Sequence, residues 1–590
     1  MRNIHYGKCT WVWAFLIVLL GIINVHPVRA YASQGDSAQC TLPDWPEEFG
    51  QPRDIIRAHR WPGYKAVMGP DSAIWCFTLG ESSETADRES FILTRVGKDM
   101  SVMETLEIEH LQGDVISFDV GVGEDYAILF WAEKRGDEYY LLAKQIKIDC
   151  NNPEGALNVS DEWHFLIVGS VVADVSVSIS GDQIFLGWVD QEEGRPGVFI
   201  AQLDANVFQA QPGTGEVESH MGTRRLERVR LSPPDVSVTS LEIVPAPGGI
   251  WALWVEAGQI LNRVVLTSYI DGTLGSRIQV TETTSRDTDE VAPLISDDGL
   301  CHLVFTQGKI VKGTLTRQVL VYGIIDREGL WIMEPIDITQ GEGNVASPYA
   351  VFANDEIFIA WADNRHGKFQ IYYSHLEVST IGSEQLLETR AVSSGAATLS
   401  TKECFSPYLF VFEDGTKGIL YKVYLEEGDI MVRGVSSLNP KDPSWAYYLG
   451  LDLENPFGDG LFKLFNAIIS AGAITFLAIP SLSVGLIATL FADRLHIFSG
   501  TTAGAVLRLL FLFGVIFLLK MPDVWFYLFA PVLPQGLSWL SFGVASAATL
   551  CIHILCTSHA KDIVATASAG VLFMFFDNLF SVIVKGVGLF

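Results

Sequence analysis

The sequence is poor in positive charge. Lysine and arginine number 40 against 69 aspartates and glutamates, which gives a formal net charge of −29 at pH 7. The whole excess lies between residues 31 and 460, because the first 30 residues and the last 130 each hold more basic than acidic residues. A surface of that sign repels phosphate backbones, so we expect no nucleic-acid partner. We interpret these carboxylates as solvated turn residues; binding of cations or of a basic partner is the alternative.

Cysteine is too sparse for a disulfide framework. The chain has 8 cysteines. Those before residue 460 are widely separated, at Cys40, Cys76, Cys150, Cys301 and Cys404. At most one or two bridges are expected, with Cys40 and Cys76 the closest pair in sequence, and the other thiols should be small buried side chains.

The short motifs of common enzyme classes are also missing. The sequence has no G-x-S-x-G, H-E-x-x-H or G-x-x-x-x-G-K-[ST], and no G-x-G-x-x-G after a strand. The histidines are dispersed, so no catalytic, metal or cofactor site is predicted. Paired carboxylates for glycoside cleavage stay an open alternative, because a ring of repeats brings together residues that are distant in sequence.

What the sequence does have is a recurring aromatic hairpin. In Ile359–Leu376, apolar residues alternate before and after the polar turn Asp363–Gly367, which is typical of two strands joined by a tight turn. Related segments occur along the chain. Their aromatic anchors are roughly 51 to 66 residues apart, the length of a four-stranded propeller blade: Trp75, Trp131, Trp188, Trp254, Phe305, Trp361 and Tyr421. Seven anchors predict seven blades.

A second recurring pattern supports this division into blades. Ala292-Pro293, Ser347-Pro348-Tyr349 and Ser406-Pro407-Tyr408 each stand shortly before an anchor, where the inner strand of a blade should start.

One hairpin resembles a motif found in a known group of proteins. Trp361-Ala-Asp363-Asn-Arg365-His-Gly367, followed by Ile371-Tyr372, resembles the W-x-D-x-R-x-G-x-x-x-I-Y hairpin of exported bacterial β-propeller repeat proteins, including sialidase-like and TolB-like propellers. The resemblance implies an all-β propeller and carries no activity with it. The Ser-x-Asp-x-Gly-x-x-Trp boxes of sialidase-type propellers are missing. We interpret Asp363 and Arg365 as partners that stabilise the turn.

The predicted domains follow from composition. Residues 1–30 combine Arg2 and Lys8 with an apolar run of about 15 residues, as in a signal peptide or a signal anchor. Residues 31–61 are predicted to be a linker, 62–440 the propeller and 441–460 a second linker. Residues 461–590 are predicted to be a transmembrane domain of about four helices.

The apolar stretches of that last domain are Leu464–Phe491, Ala503–Leu519, Leu537–Cys556 and Ile563–Val584. Pro480 is expected to kink the first. The segment Val524–Val532 is too short to span and should lie at the surface or re-enter. The sequence therefore predicts a multi-pass protein of the cell membrane with its propeller on the extracytoplasmic side.

Asp577 is the candidate functional residue of the membrane domain. It lies well inside the last apolar stretch, where an ionised carboxylate costs at least ~2.5 kcal/mol unless it is paired or wetted. Its candidate roles are a proton or ion site, or a contact to a partner helix. The alternative is a protonated or snorkelled side chain near the outer face.

Three functions stay open at this point. The preferred one is a non-enzymatic binding module that presents a propeller face to a protein or glycan ligand. The second is a sialidase-like glycoside hydrolase, which requires Asp, Glu, Arg and Tyr side chains to converge at one mouth of the central channel. The third is a receptor subunit of a membrane transport or secretion assembly.

Overall fold

The computed structural model of the chain describes residues 46, 48–59, 63–81, 89–148, 157–159, 163–166, 172–192, 195–204, 227–258, 262–283, 291–296, 299–311, 314–326, 328–339, 343–353, 356–379, 388–400, 402–425, 429–438, 440, 456–498, 502–519, 535–556 and 563–586. These residues form two compact units. One is an all-β unit within Thr41–Asp442, and the other contains the helices that follow Pro443.

The all-β unit is a seven-bladed propeller, as predicted. Each blade is an antiparallel sheet. Neighbouring strands are consecutive in sequence, except that the third strand of the second and of the fourth blade also pairs with the second strand after it, and that the first described strand joins the last blade. The first blade consists of β2 (Tyr64–Met68), β3 (Ile74–Glu81), β4 (Glu89–Val96) and β5 (Val102–His110). The second consists of β6 (Asp114–Val122), β7 (Tyr126–Arg135) and β8 (Glu138–Ile148), and both β9 (Leu157–Val159) and β10 (Trp163–Leu166) pair with β8. The third consists of β11 (Val172–Ser180), β12 (Gln183–Glu192), β13 (Arg195–Asp204) and β14 (Val229–Arg230).

The remaining blades follow the same plan. The fourth blade consists of β15 (Val238–Ala246), β16 (Gly249–Glu256) and β17 (Asn262–Ile270), and both β18 (Thr273–Leu274) and β19 (Ile278–Thr283) pair with β17. The fifth consists of β20 (Val291–Ile295), β21 (Cys301–Val311), β22 (Thr314–Ile325) and β23 (Trp331–Asp337), and the sixth of β24 (Val345–Ala353), β25 (Glu356–Asp363), β26 (Gln370–Ser379) and β27 (Glu388–Ala396). The seventh consists of β28 (Cys404–Val411), β29 (Lys417–Tyr424), β30 (Ile430–Ser436) and β1 (Arg53–Ala58).

The core of the propeller is annular. Among the described residues each gap between neighbouring blades holds its own buried apolar cluster. The second strand of a blade packs on both faces, which explains why β16 reads as a nearly continuous apolar run and is buried along its whole length. Because both faces are buried, the second strands appear in the sequence as nearly continuous apolar segments that are easy to recognise.

The first strand in the propeller closes the ring. Strand β1 pairs antiparallel with β30 and forms the outer strand of the seventh blade. Two exposed ion pairs accompany the pairing, Arg57 Nε to Asp429 Oδ2 at 2.8 Å and Arg433 Nε to Asp54 Oδ1 at 2.7 Å. Strand β1 lies inside the stretch 31–61 that the sequence analysis assigns to a linker.

The first strands of neighbouring blades contact one another all the way around the ring, so they surround its axis. We call these seven strands, β2, β6, β11, β15, β20, β24 and β28, the inner strands. In several blades the register between inner and second strand shifts near the start of the inner strand. Such bulges bend a strand and re-aim its side chains.

The predicted anchor of the first blade is out of register. Trp131 and the later anchors face the preceding blade. Trp75 instead packs in the cluster that faces the second blade, and Thr78 occupies the anchor position. The prediction of seven blades holds because both residues lie on the same second strand.

The described cysteines of the propeller are buried free thiols, as expected. They are Cys76, Cys301 and Cys404. Since Cys76 is free, it forms no bridge with Cys40, and burial raises the pKa of the Cys76 thiol.

The described part of the second unit contains five helices: α1 (Pro456–Leu477), α2 (Ile479–Arg494), α3 (Thr502–Leu519), α4 (Gln535–Cys556) and α5 (Ile563–Gly586). Helix α5 contacts the other four. The stretch predicted as one kinked helix contains two, because the helix is interrupted at Ala478 and Pro480 lies in the first turn of α2. Within the described residues, Gly460–Leu477 and Val564–Ile583 are long and apolar enough to cross a membrane. The segment Val524–Val532 lies outside the described residues.

Candidate functional site

Charged residues are rare on the inner strands. Apart from Asp114 at the start of β6, they are Lys65, Asp119, Asp174 and Glu242, one from each of the first four blades. No inner strand contains arginine or histidine. Because the inner strands surround the axis, these four side chains form a polar cluster in the central channel, which we call the channel cluster.

Two carboxylates of the channel cluster tie neighbouring inner strands together. Asp119 on β6 accepts hydrogen bonds from the Ser176 hydroxyl and the Val177 amide of β11, both at 2.9 Å. Its other oxygen lies 3.4 Å from the Lys65 ammonium. Asp119 therefore joins inner strands from three blades.

Asp174 makes the next link in the same way. It accepts from the Ser117 hydroxyl at 2.7 Å and from the Leu241 amide at 2.9 Å. Enclosure by protein raises the pKa of Asp174 to about 6, although these two hydrogen bonds and the Lys65 charge oppose the rise and the Asp119 charge adds to it. The protein thus holds at its axis a carboxyl group that titrates close to neutral pH.

The opposite side of the channel is aromatic. Tyr349 and Tyr408, on the inner strands of the sixth and seventh blades, have ring centroids 4.9 Å apart. Tyr408 meets Tyr64 edge-on at 5.1 Å, and the Tyr64 hydroxyl donates to the Ser406 carbonyl at 2.6 Å. We call Tyr64, Tyr349 and Tyr408 the tyrosine cluster.

Local backbone geometry places two of these rings. Ser347 and Ser406 precede Pro348 and Pro407 and have positive φ values of 49° and 47°. L-residues seldom adopt that conformation, so each Ser-Pro pair forms a strained bulge just before its tyrosine. The Ser-Pro-Tyr echo in the sequence is the signature of this bulge.

The two clusters share one electrostatic environment. Enclosure by protein raises the pKa of the Tyr349 hydroxyl most, and the Glu242 charge raises it further. Lys65 lowers it and Asp119 raises it by smaller amounts. Carboxylates from the second and fourth blades therefore act on a tyrosine of the sixth blade, across the channel.

Among the described side chains of the inner strands, two buried hydroxyls have no hydrogen-bond partner. They belong to Ser178 on β11 and Ser240 on β15, whose exposed fractions are 3% and 4%. Side chains two positions apart on a strand share a face, so Ser240 stands beside Glu242 and Ser178 beside Ser176. A buried hydroxyl without a partner costs free energy, which a ligand can recover.

The turn residues predicted to be partners do interact. Arg365 Nε donates to Asp363 Oδ2 at 3.0 Å, Asp363 is 1% exposed, and the Trp361 indole points to the same oxygen at 3.5 Å. A tryptophan, an acid two residues later and an arginine paired with that acid recur in three other blades, as Trp131-Glu133-Arg135, Trp188-Asp190-Arg228 and Trp254-Glu256-Arg277. The indoles of Trp131 and Trp254 donate to their acids, whereas the Trp188 indole has no hydrogen-bond partner. These are structural units away from the channel cluster.

Asp577 lies inside the helical unit. It is 1% exposed, and the Ser541 hydroxyl on α4 lies 2.5 Å from its Oδ1. The neighbouring Asn578 donates to the Thr475 hydroxyl on α1 at 3.1 Å, while its own buried carbonyl oxygen has no partner. The side chain is thus enclosed by helices and does not reach outward to a surface. Its role as a proton or ion site stays a prediction.

The sequence analysis did not identify the channel cluster. A signal for it exists, because Asp119, Ser176, Glu242 and Tyr349 each stand about a dozen positions before the anchor of their blade, at equivalent places in the strand pairing. Polar residues about a dozen positions before each anchor would have indicated which side chains meet at the axis.

Comparison with known proteins yields fold likeness alone. No family model and no curated protein matches the sequence. Among solved structures, the polysaccharide lyase Uly1 is similar at 11% identity over 70% of this chain and 94% of its own, with a TM-score of 0.36. The Dos1 propeller is similar at 10% identity over 68% and 98%, with a TM-score of 0.36.

A Trypanosoma rangeli sialidase solved with the inhibitor DANA is similar at 10% identity, with a TM-score of 0.33. The match covers 53% of this chain and 53% of the sialidase, so the chain spans about half the length of that protein. The propeller assignment rests on the strand pairing itself.

Proposed function

We propose that this protein is a membrane-anchored, extracytoplasmic β-propeller that binds a protein or glycan ligand in its central channel, without catalysis. The observation that carries the proposal is the channel cluster facing the tyrosine cluster. The inner strands that surround the axis carry ionisable groups, aromatic rings and the unpartnered hydroxyls of Ser178 and Ser240. Binding sites typically combine aromatic surface with a few converging polar groups in this way.

The distribution of polarity in the helical unit supports membrane anchoring. Ser541, Thr549, Asp577, Asn578 and Ser581 are buried, whereas large apolar side chains are exposed. On α1 the exposed ones include Phe457, Leu461, Phe462, Phe465 and Phe476. A helix bundle in water has the reverse arrangement, and this one suits a surrounding of lipid. The extracytoplasmic side and the number of spans are part of the proposal and rest on the leader and the apolar stretches.

Binding to arrays tests the function. The full chain, in nanodiscs of neutral lipid, is applied to arrays of glycans, cell-envelope polymers and surface proteins. We expect specific retention that Glu242→Gln weakens at least tenfold and that Glu124→Gln, at an exposed carboxylate of the second blade, leaves unchanged. Retention of nothing specific, or equal retention of both variants, would overturn the proposal.

Glycoside hydrolysis is the second candidate, favoured by one observation. Asp174, with its pKa raised to about 6, shares the channel with Asp119, and a pair of carboxyl groups in unlike environments is what acid–base cleavage of a glycoside needs. The sialidase form also calls for arginine, and the inner strands offer Lys65 as their sole cation. Turnover of aryl glycosides by the full chain, abolished by Asp174→Asn, would establish this candidate.

A receptor subunit of a transport or secretion assembly is the third candidate. It is favoured by the buried Asp577–Ser541 contact at the centre of the helical unit. Asp577→Asn should then abolish transport in cells while ligand binding by the propeller is unchanged. Full activity after replacement of the helices by a single unrelated anchor would exclude it.

A further inference from the structure

We infer that the ligand of the channel carries a protonated amine, as an amino sugar does. The inference rests on the proposed binding function and names its ligand class. It follows from the charge balance, the aromatic surface and the unpartnered hydroxyls of the channel.

The charge balance favours a cation. Asp119, Asp174 and Glu242 provide three carboxyl groups, and the inner strands hold one lysine against them. A narrow channel with protein walls concentrates the field of such groups and attracts ions of opposite sign. An anionic ligand would meet repulsion from at least two carboxylates and attraction from Lys65 alone.

Lys65 itself shows what the site accommodates. Its ammonium group lies 3.4 Å from the Asp119 carboxylate. Lys65 directly follows Tyr64 of the tyrosine cluster in the sequence. The chain therefore already holds one primary ammonium beside a carboxylate of the channel cluster. A ligand amine would take the same kind of partners at Glu242 and Asp174.

The tyrosine cluster adds attraction for the same class. The faces of aromatic rings carry negative charge density and attract ammonium groups within about 6 Å, more strongly where water is displaced. Tyr349 and Tyr408 lie on the side of the channel opposite the inner-strand carboxylates of the second to fourth blades. A bound amine would thus have carboxylates on one side and rings on the other.

The unpartnered hydroxyls complete the set of acceptors. An ammonium group has three donors and no acceptor. Ser240, beside Glu242, and Ser178, farther along β11, are buried hydroxyls whose oxygens are unpartnered. They are independent of the carboxylates, and each can accept from an N–H donor.

Calorimetric titration of the full chain in nanodiscs of phosphatidylcholine tests the inference. The probes are a glucosamine hexamer and an N-acetylglucosamine hexamer, which differ in the amine charge, and empty nanodiscs are the blank. We expect the glucosamine hexamer to bind at least tenfold more tightly, and Glu242→Gln to reduce its affinity at least tenfold. Glu124→Gln should have no effect.

Lys65→Met gives the sharpest outcome. Removing the internal ammonium leaves the Asp119 carboxylate without its cation, so affinity for the glucosamine hexamer should rise severalfold. Partial unfolding does not produce such a gain. If Lys65→Met weakens binding of both hexamers, or if the acetylated hexamer binds as tightly as the amine, the amine inference is wrong while binding in the channel stands. If neither hexamer binds, the amino-sugar inference is wrong, and the arrays above decide the binding function separately.

Discussion

At the scale of the residue, the buried acid of the Trp361 hairpin shows how a short turn motif becomes a structural requirement. Asp363 is almost fully enclosed, and a carboxylate in that position is stable only if donors surround it. Arg365 and the Trp361 indole supply those donors, and the guanidinium also lies over the Tyr372 ring at 4.2 Å. The sequence predicted this pair because its members are two residues apart in one turn.

The first prediction concerns Arg365. Arg365→Met leaves the buried Asp363 carboxylate without its cation, and we expect a loss of about 3 to 5 kcal/mol in the free energy of unfolding. The control is Arg53→Met, at an exposed pair with Asp99, which should cost about 1 kcal/mol or less. Denaturant unfolding followed by tryptophan fluorescence measures both. Equal losses would show that burial of the acid is not what makes the pair matter.

The second prediction concerns Asp174 and pH. Its pKa in the fold is about 6, above the ordinary 3.8, so the fold binds its proton more tightly than the unfolded chain does. The stabilisation is fully present below pH 3.8 and is lost as pH rises through 6, by an amount on the order of 3 kcal/mol.

Thermal unfolding between pH 4 and 7 checks this. Relative to Asp174→Asn, the wild-type protein should lose stability as pH rises. Asp114→Asn, at an exposed position of β6, should run parallel to wild type. A wild-type curve parallel to that of Asp174→Asn would contradict the prediction.

At the scale of the element, hairpins were predictable and their convergence was not. Alternation and turn residues are local properties, so second and third strands such as β25 and β26 stand out in the sequence. Which residues meet at the axis depends on the pairing of β6, β11 and β15 across blades, and on bulges that shift register by a residue or two. For that reason Asp119, Asp174 and Glu242 were not identified.

Helix boundaries show the same limit. Pro480 signalled a disturbance in the first apolar stretch, but a kink and a full break look alike in sequence. The structure ends α1 at Leu477 and starts α2 at Ile479.

The third prediction tests the register of the first blade. Thr78 holds the position that aromatic anchors fill elsewhere, is fully buried, and its hydroxyl has no partner. Thr78→Val keeps the shape and removes the unpartnered hydroxyl, so we expect stability to rise by roughly 1 kcal/mol. Thr105→Val, at an exposed position of β5, should be neutral. A loss of stability in Thr78→Val would mean that the hydroxyl makes an interaction of its own.

At the scale of the whole molecule, the ring depends on one strand from its beginning. Blades pack side by side through separate apolar clusters, so an open arc would expose both faces of the cluster between the seventh and first blades, and β1 joins these two ends. Ile55 carries much of that closure, being 9% exposed in the cluster between the seventh and first blades.

The fourth prediction concerns this closure. Ile55→Ala should lower the free energy of unfolding by about 2 to 4 kcal/mol. Hydrogen exchange should also speed up in both the first and seventh blades, since both lose support. Leu330→Ala, at a residue that is 63% exposed, serves as control and should change neither. Faster exchange confined to β1 would show local fraying instead of opening of the ring.

The position of the closing strand in the sequence also delays ring closure during biosynthesis. Arg57 and its partner Asp429 are 372 residues apart, so β1 leaves the ribosome long before the strand it must pair with exists. At about 5 to 20 residues per second, the interval is roughly 20 to 75 s, during which the nascent ring has a free edge. The hydrogen-bonding groups of that edge are a hazard for aggregation. A chaperone that shields β1 during this wait would raise the yield of closed rings without any effect on the finished protein.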